Sequence, residues 1–366
     1  MHPAKLSKIF HLAYPAIQKL PLDWQVKLMS YGRMKFMKEF CDYIPKAQFI
    51  PHDDYAVNAW GLKFGSPLMN SAGMFKNGEA YDTVAKLGAG GYIGGTSTAN
   101  ARSGNAKNGI TLPFITLPNS DVAVNWLGLP NLGDDVLVQK NITFNKVDGC
   151  PIGWSLMRSP DYDEDVGLQL LIDSLWKYHN HPQIDFIEIN ESCPNIKAGG
   201  GNIIARLQVI ADEFLNKRER KLPVVVKLSN DLSMSSLEEI LTALVKLGFD
   251  GINLGNTSTN YADLINKISN HNENKLFDYF VNNYGGGVSG KLLKDNSLNL
   301  CTHSAEILSK INPGYEFHII RSGGVEYFAD VKASLENGAT LVQWYTGFFA
   351  AYNLHRDKVY ANIFAK

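Results

Sequence analysis

Residues 186–197, FIEINESCPNIK, begin as an apolar run and end as a cluster of polar chemistry. Phe186, Ile187 and Ile189 are aromatic or β-branched and predict a short buried strand that stops at Asn190. Ser192, Cys193, Pro194 and Asn195 follow at once, a composition unsuited to a core strand but suited to a loop that presents side chains at the strand's end.

Seven other runs share this plan: PLMNSA (67–72), GYIGG (91–95), IGWSL (152–156), VVVKL (224–228), GINLG (251–255), FHIIRSG (317–323) and LVQWYTG (341–347). Longer stretches with apolar residues at i, i+3 and i+4 lie between them, such as LEEILTALVKLG (237–248) and YFADVKASLENGA (327–339). Eight β–α units predict an α/β fold, a TIM (β/α)8 barrel. A doubly wound sheet would also alternate strands with helices. However, Asn70, Thr96, Ser155, Asn190, Lys227, Asn256 and the pair Gly323 and Gly324 all stand at C-terminal strand ends. A barrel gathers such ends into one mouth, whereas an open sheet spreads them along an edge.

The 366 residues are 45% hydrophobic, enough for a large core, and the net charge of −1 gives no basic field to attract nucleic acid. Cys41, Cys150, Cys193 and Cys301 lack the spacing of a zinc site, so neither metal nor disulfides are expected, and the setting reads as reducing and cytoplasmic. The start, MHPAKLSKIFHLAYPAIQKL, carries charges inside its apolar stretch, unlike a signal peptide.

Residues 1–55 read as an extension of the barrel at 56–366. The first 40 residues predict two amphipathic helices broken at Pro21, with Asp23 as N-cap of the second. Lys5, Lys8, Lys19, Lys27, Arg33, Lys35 and Lys38 oppose Asp23 and Glu39, a net charge of +5. One reading is a helical pair packed on the barrel. The other is a subdomain that binds a membrane surface or a lipophile, as suits basic helices rich in Met and aromatic residues.

RSGGV (321–325) and QWYTGF (343–348) end the seventh and eighth strands, the corner where many barrels bind a phosphate on convergent backbone N–H groups. Lys227 ends a buried strand, a costly place for a charge unless it meets an anion or snorkels to the rim. Lys76, in NSAGMFKNGE, is a second candidate. Asparagines at the mouth offer both donors and acceptors and suit a cyclic amide or imide. No His/Asp pair stands near Cys193 in sequence, so a general base fits it better than a papain-like nucleophile.

NSAGMFKNGE, NWLGLPN, NESCPN, VVVKLS, GINLGNTST, GGVSG, RSGGV and VQWYTGF, in this order over about residues 58–350, resemble the dihydroorotate dehydrogenases, flavin enzymes of pyrimidine synthesis. The resemblance implies oxidation of dihydroorotate to orotate on FMN. Cys193 matches the base that takes the C5 proton while a hydride leaves C6 for the flavin. Lys76, Asn125, Leu127, Gly128, Leu129, Asn190, Asn195, Asn256 and Thr257 match the substrate pocket. Ala72, Gly73, Thr96, Ser155, Asn190, Lys227, Gly255, Ser289, Gly290, Gly323, Gly324, Tyr345 and Thr346 match the flavin site.

Family members with a helical extension pass electrons to quinone at a membrane and usually carry serine at the base position. Soluble members usually carry cysteine. Here Cys193 resembles the soluble class, while GNTST and residues 1–55 resemble the quinone class. The extension favours quinone, with peripheral attachment to the cytoplasmic face of the inner membrane; fumarate is the next acceptor. Glu191 and TSTANARSGN (96–105) depart from the common pattern. A flavoenzyme acting on uracil or dihydrouridine and a non-catalytic flavin- or phosphate-binding barrel are the rival readings.

Overall fold

A computed structural model describes residues 1–140, 144–192 and 200–364. Eight parallel strands form the expected barrel: β1 Leu68–Asn70, β2 Tyr92–Ser97, β3 Ile152–Leu156, β4 Phe186–Asn190, β5 Val224–Lys227, β6 Gly251–Leu254, β7 His318–Arg321 and β8 Leu341–Trp344. Ladders join them in the order β1-β8-β7-β6-β5-β4-β3-β2. The circle closes between β1 and β2. There Asn70 Nδ2 donates to the Ile93 carbonyl (2.7 Å) and its Oδ1 accepts from the Ile93 N–H (3.2 Å), so one carboxamide replaces part of a ladder.

Local sequence explains the helices between the strands. Met234–Leu247 starts at Ser233, whose side chain accepts from the Ser236 N–H, and stops at Gly248, which takes a left-handed φ of 81° as the C-cap. Leu237, Ile240, Leu241 and Leu244 form its buried stripe. Below the barrel, the hairpin Val57–Ala59 and Leu62–Phe64 turns through Trp60 and Gly61, both at positive φ. Trp60 and Phe64 cluster with Met69, Ile93, Phe186, Val225, Ile320 and Leu341, which fill the lower part of the barrel.

One sheet was not expected from sequence. Phe114–Leu117, Val122–Asn125 and Gly287–Gly290 pair antiparallel, and they deliver Asn125, Ser289 and Gly290 to the barrel mouth.

The N-terminal helices form as expected, α1 at Pro3–Ile17 and α2 at Leu22–Cys41, but the cap differs. Pro21 occupies the N-cap, its ring suiting the extended entry to the helix, and Asp23 lies in the first turn with no capping bond. There its charge still complements the helix dipole. Tyr14, Val26 and Met29 share a core with Ile115, Leu117 and Phe277, so both helices pack on the barrel's elaborations. Glu273, wholly buried, accepts from Tyr14 Oη (2.7 Å), the Asn119 N–H (2.9 Å) and Ser120 Oγ (2.6 Å). That carboxylate pins α1 to the helix His271–Asn283.

Asn70→Leu leaves the Ile93 N–H and C=O unpaired at the seam, at a cost of about 1–3 kcal/mol for each group. We expect a clearly lower urea midpoint with the barrel otherwise intact. An unchanged midpoint would show that the barrel closes without this carboxamide.

Candidate active site

The strand ends and the antiparallel sheet enclose one cavity. It is lined by Ala72, Gly73 and Lys76 after β1, Thr96 on β2, Asn190 on β4, and Gly255, Asn256 and Thr257 after β6. Asn125, Leu127, Gly128, Leu129, Ser289 and Gly290 close it from above, and Gly323, Gly324, Tyr345 and Thr346 from the β7–β8 side. The residues singled out in sequence therefore converge, with two kinds of exception. Cys193 and Asn195 lie outside the described residues. Ser155 and Lys227 do not line the cavity but sit directly beneath it.

Lys227 is fully buried, which removes the snorkelling alternative. Its Nζ donates to Ser71 Oγ (3.0 Å) and Gln343 Oε1 (2.9 Å) and stands 3.6 Å from Glu188 Oε1. Glu188, equally buried, accepts on Oε2 from Asn253 Nδ2 (2.7 Å) and Gln343 Nε2 (2.8 Å), and on Oε1 from Ser155 Oγ (3.2 Å). Burial pushes the Lys227 ammonium below its ordinary pKa, and Glu188 works against that shift. Sequence reading missed Glu188, Ser71, Asn253 and Gln343. The available signal was the charged residue at the centre of FIEIN, a run otherwise apolar up to Asn190.

The floor connects to the walls. Ser155 Oγ and Thr96 Oγ1 lie 2.9 Å apart, and Asn190 Nδ2 donates to Thr96 Oγ1 (3.3 Å). Asn190 Oδ1 accepts from the Ser192 N–H (3.1 Å) and Oγ (2.5 Å), and Asn256 Nδ2 donates to Ser192 Oγ. Glu191 turns away to a buried salt bridge with Arg206 (2.7 Å), which also reaches Glu164 (2.8 Å). Burial depresses the Arg206 pKa, but the two carboxylates outweigh it and the net shift is upward. This unusual residue thus ties the end of β4 to the helix Gly200–Glu213.

The β7–β8 corner has no room for side chains. Gly255, Gly323 and Gly324 take φ of 89°, 85° and 70°. A Cβ on Gly323 would lie 2.4 Å from the Gly255 carbonyl oxygen, and one on Gly324 would lie 2.4 Å from Lys294 Cα. The helix Thr346–His355 starts at the cavity, turning its N-terminal amides and positive dipole end towards it, with Ser289 Oγ 3.0 Å from Thr346 Oγ1. A glycine-walled corner at one end and a floor of fixed donors and acceptors at the other fit a flavin. Among the described residues no cluster of His, Cys, Asp or Glu is placed to hold a metal ion.

Residues 55–364 match the family model for dihydroorotate dehydrogenase. The chain belongs to the dihydroorotate dehydrogenase family. A relative from Photobacterium profundum, named dihydroorotate dehydrogenase (quinone), is 29% identical over 309 residues, covering 82% of this chain and 84% of its own. Another of the same name, from Saccharophagus degradans, is 26% identical over 348 residues, covering 93% and 92%. In structure the chain is similar to a dihydroorotate dehydrogenase from Eimeria tenella solved with ferulenol, with a TM-score of 0.73, 20% identity, and coverage of 91% of this chain and 89% of that one. That likeness supports the TIM barrel, and membership implies an oxidoreductase with a flavin cofactor.

Lys227→Ala would strand Glu188 as an unpaired buried carboxylate, destabilising the protein by about 3–5 kcal/mol. Replacing both members, Lys227→Met with Glu188→Gln, should recover most of that loss. Equal unfolding midpoints for the single and double variants would mean that the two charges are not coupled.

Proposed function

We propose that this protein oxidises dihydroorotate to orotate on FMN and passes the electrons to a quinone. The observation that carries the reading is the meeting of Lys76, Asn125, Asn190, Asn256 and Thr257 with the glycine corner in one cavity, above a buried lysine. The asparagines pair with the amide edges of the ring, and Lys76 supplies a cation for its carboxylate. When bound, the flavin accepts the hydride. Cys193 takes the C5 proton, at the end of a strand whose preceding polar residues, Asn190 and Ser192, are already locked together.

The same cavity supports FMN in particular. Gly323, Gly324, Ser289, Thr346 and the amides at the start of Thr346–His355 form the site for its phosphate. Lys227, whose ammonium donates to Ser71 and Gln343, would supply a cation beneath a bound flavin. Rings lacking a carboxylate, such as dihydrouracil, would not make the proposed contact to Lys76.

The acceptor reading draws on the extension. Arg33 on α2 donates to Tyr345 Oη (3.0 Å) and stacks over Phe114, so the helix touches two residues of the cavity wall. Beside it an open groove runs between α2 and the barrel, lined by Arg33, Met37, Met74, Leu112 and Leu132, and it shares Lys76 with the active cavity. A lipophilic tail fits such a path. Ile9, Leu12, Trp24 and Leu28 are exposed on the same helices among basic residues, a surface suited to an anionic membrane interface at the cytoplasmic face. No helix among the described residues is long and apolar enough to cross a membrane.

The purified protein should be yellow, and dihydroorotate, but not dihydrouracil, should bleach it without oxygen. A protein that takes up no FMN overturns the proposal. Cys193→Ala should keep FMN and bind orotate while its flavin is reduced ~10²-fold more slowly, the scale of a lost general base. Cys193→Ser should retain part of the rate with its optimum at higher pH, because a hydroxyl is the weaker acid. Stopped-flow reoxidation tests the acceptor: a long-chain quinone should reoxidise the enzyme quickly and fumarate slowly, and the reverse order would assign it to the soluble type.

A further inference from the structure

The hub of the polar floor is Glu188. Four side chains from four other strands meet its two oxygens: Ser155 on β3, Lys227 on β5, Asn253 on β6 and Gln343 on β8. Gln343 is held at both ends, its Nε2 donating to Glu188 while its Oε1 accepts from Lys227. Asn253 is fixed likewise, donating to Glu188 and accepting on Oδ1 from Ser322 Oγ (2.8 Å). Ser322 and Gln343 both line the cavity. A single carboxylate therefore sets which way the amides face, and a neutral amide in its place could not accept from all three donors and balance the ammonium as well.

We propose that Glu188 is a positioning residue for the flavin: it holds Lys227 as an ammonium at the cavity floor and orients Gln343 and Asn253 around it. The inference rests on the flavin reading given above. A lysine buried this deeply tends to lose its proton, and it would then offer a lone pair instead of a positive charge. With Glu188 in place, the charge that arrives with the hydride meets the same fixed cation across the working pH range.

The surroundings isolate this pair. Among the described residues, Lys227 Nζ meets the charged Glu188 and the neutral Ser71 and Gln343, and the further partners of this network, Asn253 and Ser322, are neutral as well. Arg321 on β7 donates to Ser297 and Ser334 on the flanking helices, and Lys76 lines the cavity above the buried layer that holds Lys227. A pH response gained on removing Glu188 is thus assigned to Lys227.

The experiment measures the flavin midpoint potential of the loaded enzyme from about pH 6 to about pH 9, below the ordinary lysine range. Alongside it, the lysine ¹³Cε resonances of the flavin-free protein are titrated, with Lys227→Met assigning the signal. Wild type should show no lysine-dependent break in either record. Glu188→Gln should show one in both, with the oxidised-to-reduced ratio against a reference dye shifted at least ~10-fold across it, the change expected for about one pH unit of titration. Glu188→Gln with Lys227→Met should lose the break. A Glu188→Gln record that follows wild type overturns the proposal. Should Glu188→Gln fail to fold, recovery of folding in the double variant supports the charge role, and failure of the double variant as well overturns it. If wild type bound no flavin, the proposed function would fall, while the ¹³Cε titration would still decide the role of Glu188.

Discussion

Seven polar side chains drawn from every part of the barrel are packed into one buried layer: Ser71, Ser155, Glu188, Lys227, Asn253, Ser322 and Gln343. Each would cost several kcal/mol if left unpaired there. The layer survives because its donors and acceptors match, with a carboxylate that accepts from three sides and an ammonium that donates to two neighbouring side chains. Below it the barrel is filled by Trp60, Phe64, Phe186 and other apolar groups, and above it opens the cavity. The polar layer therefore separates the part of the barrel that gives stability from the part that gives chemistry. Its matched valences restrict what can change at any one of the seven positions.

The barrel was legible because its strands are buried on both faces and so read as short apolar runs between glycine and polar punctuation. IGWSL and FIEIN appear in the structure with unchanged bounds. The site was legible where chemistry stands at a strand's end, as with Asn190, Asn256 and the pair Gly323 and Gly324. It was illegible one layer deeper. Glu188 meets Lys227 across 39 positions of sequence and Gln343 across 155, and nothing local marks an inward-facing glutamate as paired. The antiparallel sheet escaped for a similar reason: Gly287–Gly290 joins Val122–Asn125 from far along the chain, and a strand with glycine at both ends carries little propensity.

The extension shows how packing and exposure divide a helix pair. Val26 and Met29 are buried, each contributing about 1.5–3 kcal/mol by leaving water, and Ser30 bridges to the Phe114 backbone. Glu273 adds a buried carboxylate whose partners come from α1 and from the turn at Asn119 and Ser120. These contacts anchor one face of the pair, while Leu12 and Trp24 on the other remain open to solvent. A pair held this way keeps its orientation to the mouth whether or not its outer face meets lipid.

That fixed orientation also bears on the mixture of class features in one chain. In the proposed function the base position and the acceptor path belong to separate parts of the molecule. Cys193 follows β4 in sequence, two residues past Glu191, whose side chain is held by Arg206, whereas the groove beside α2 shares Lys76 with the cavity and has Arg33 bonded to Tyr345 of the cavity wall. The proposed reaction asks the base to take a proton from the substrate and asks the groove only to admit an electron acceptor. Under the proposed function neither requirement constrains the other, because the two involve different stretches of the chain. In that reading a cysteine base and a helical extension are compatible in one barrel, since the one follows β4 in sequence and the other precedes the barrel.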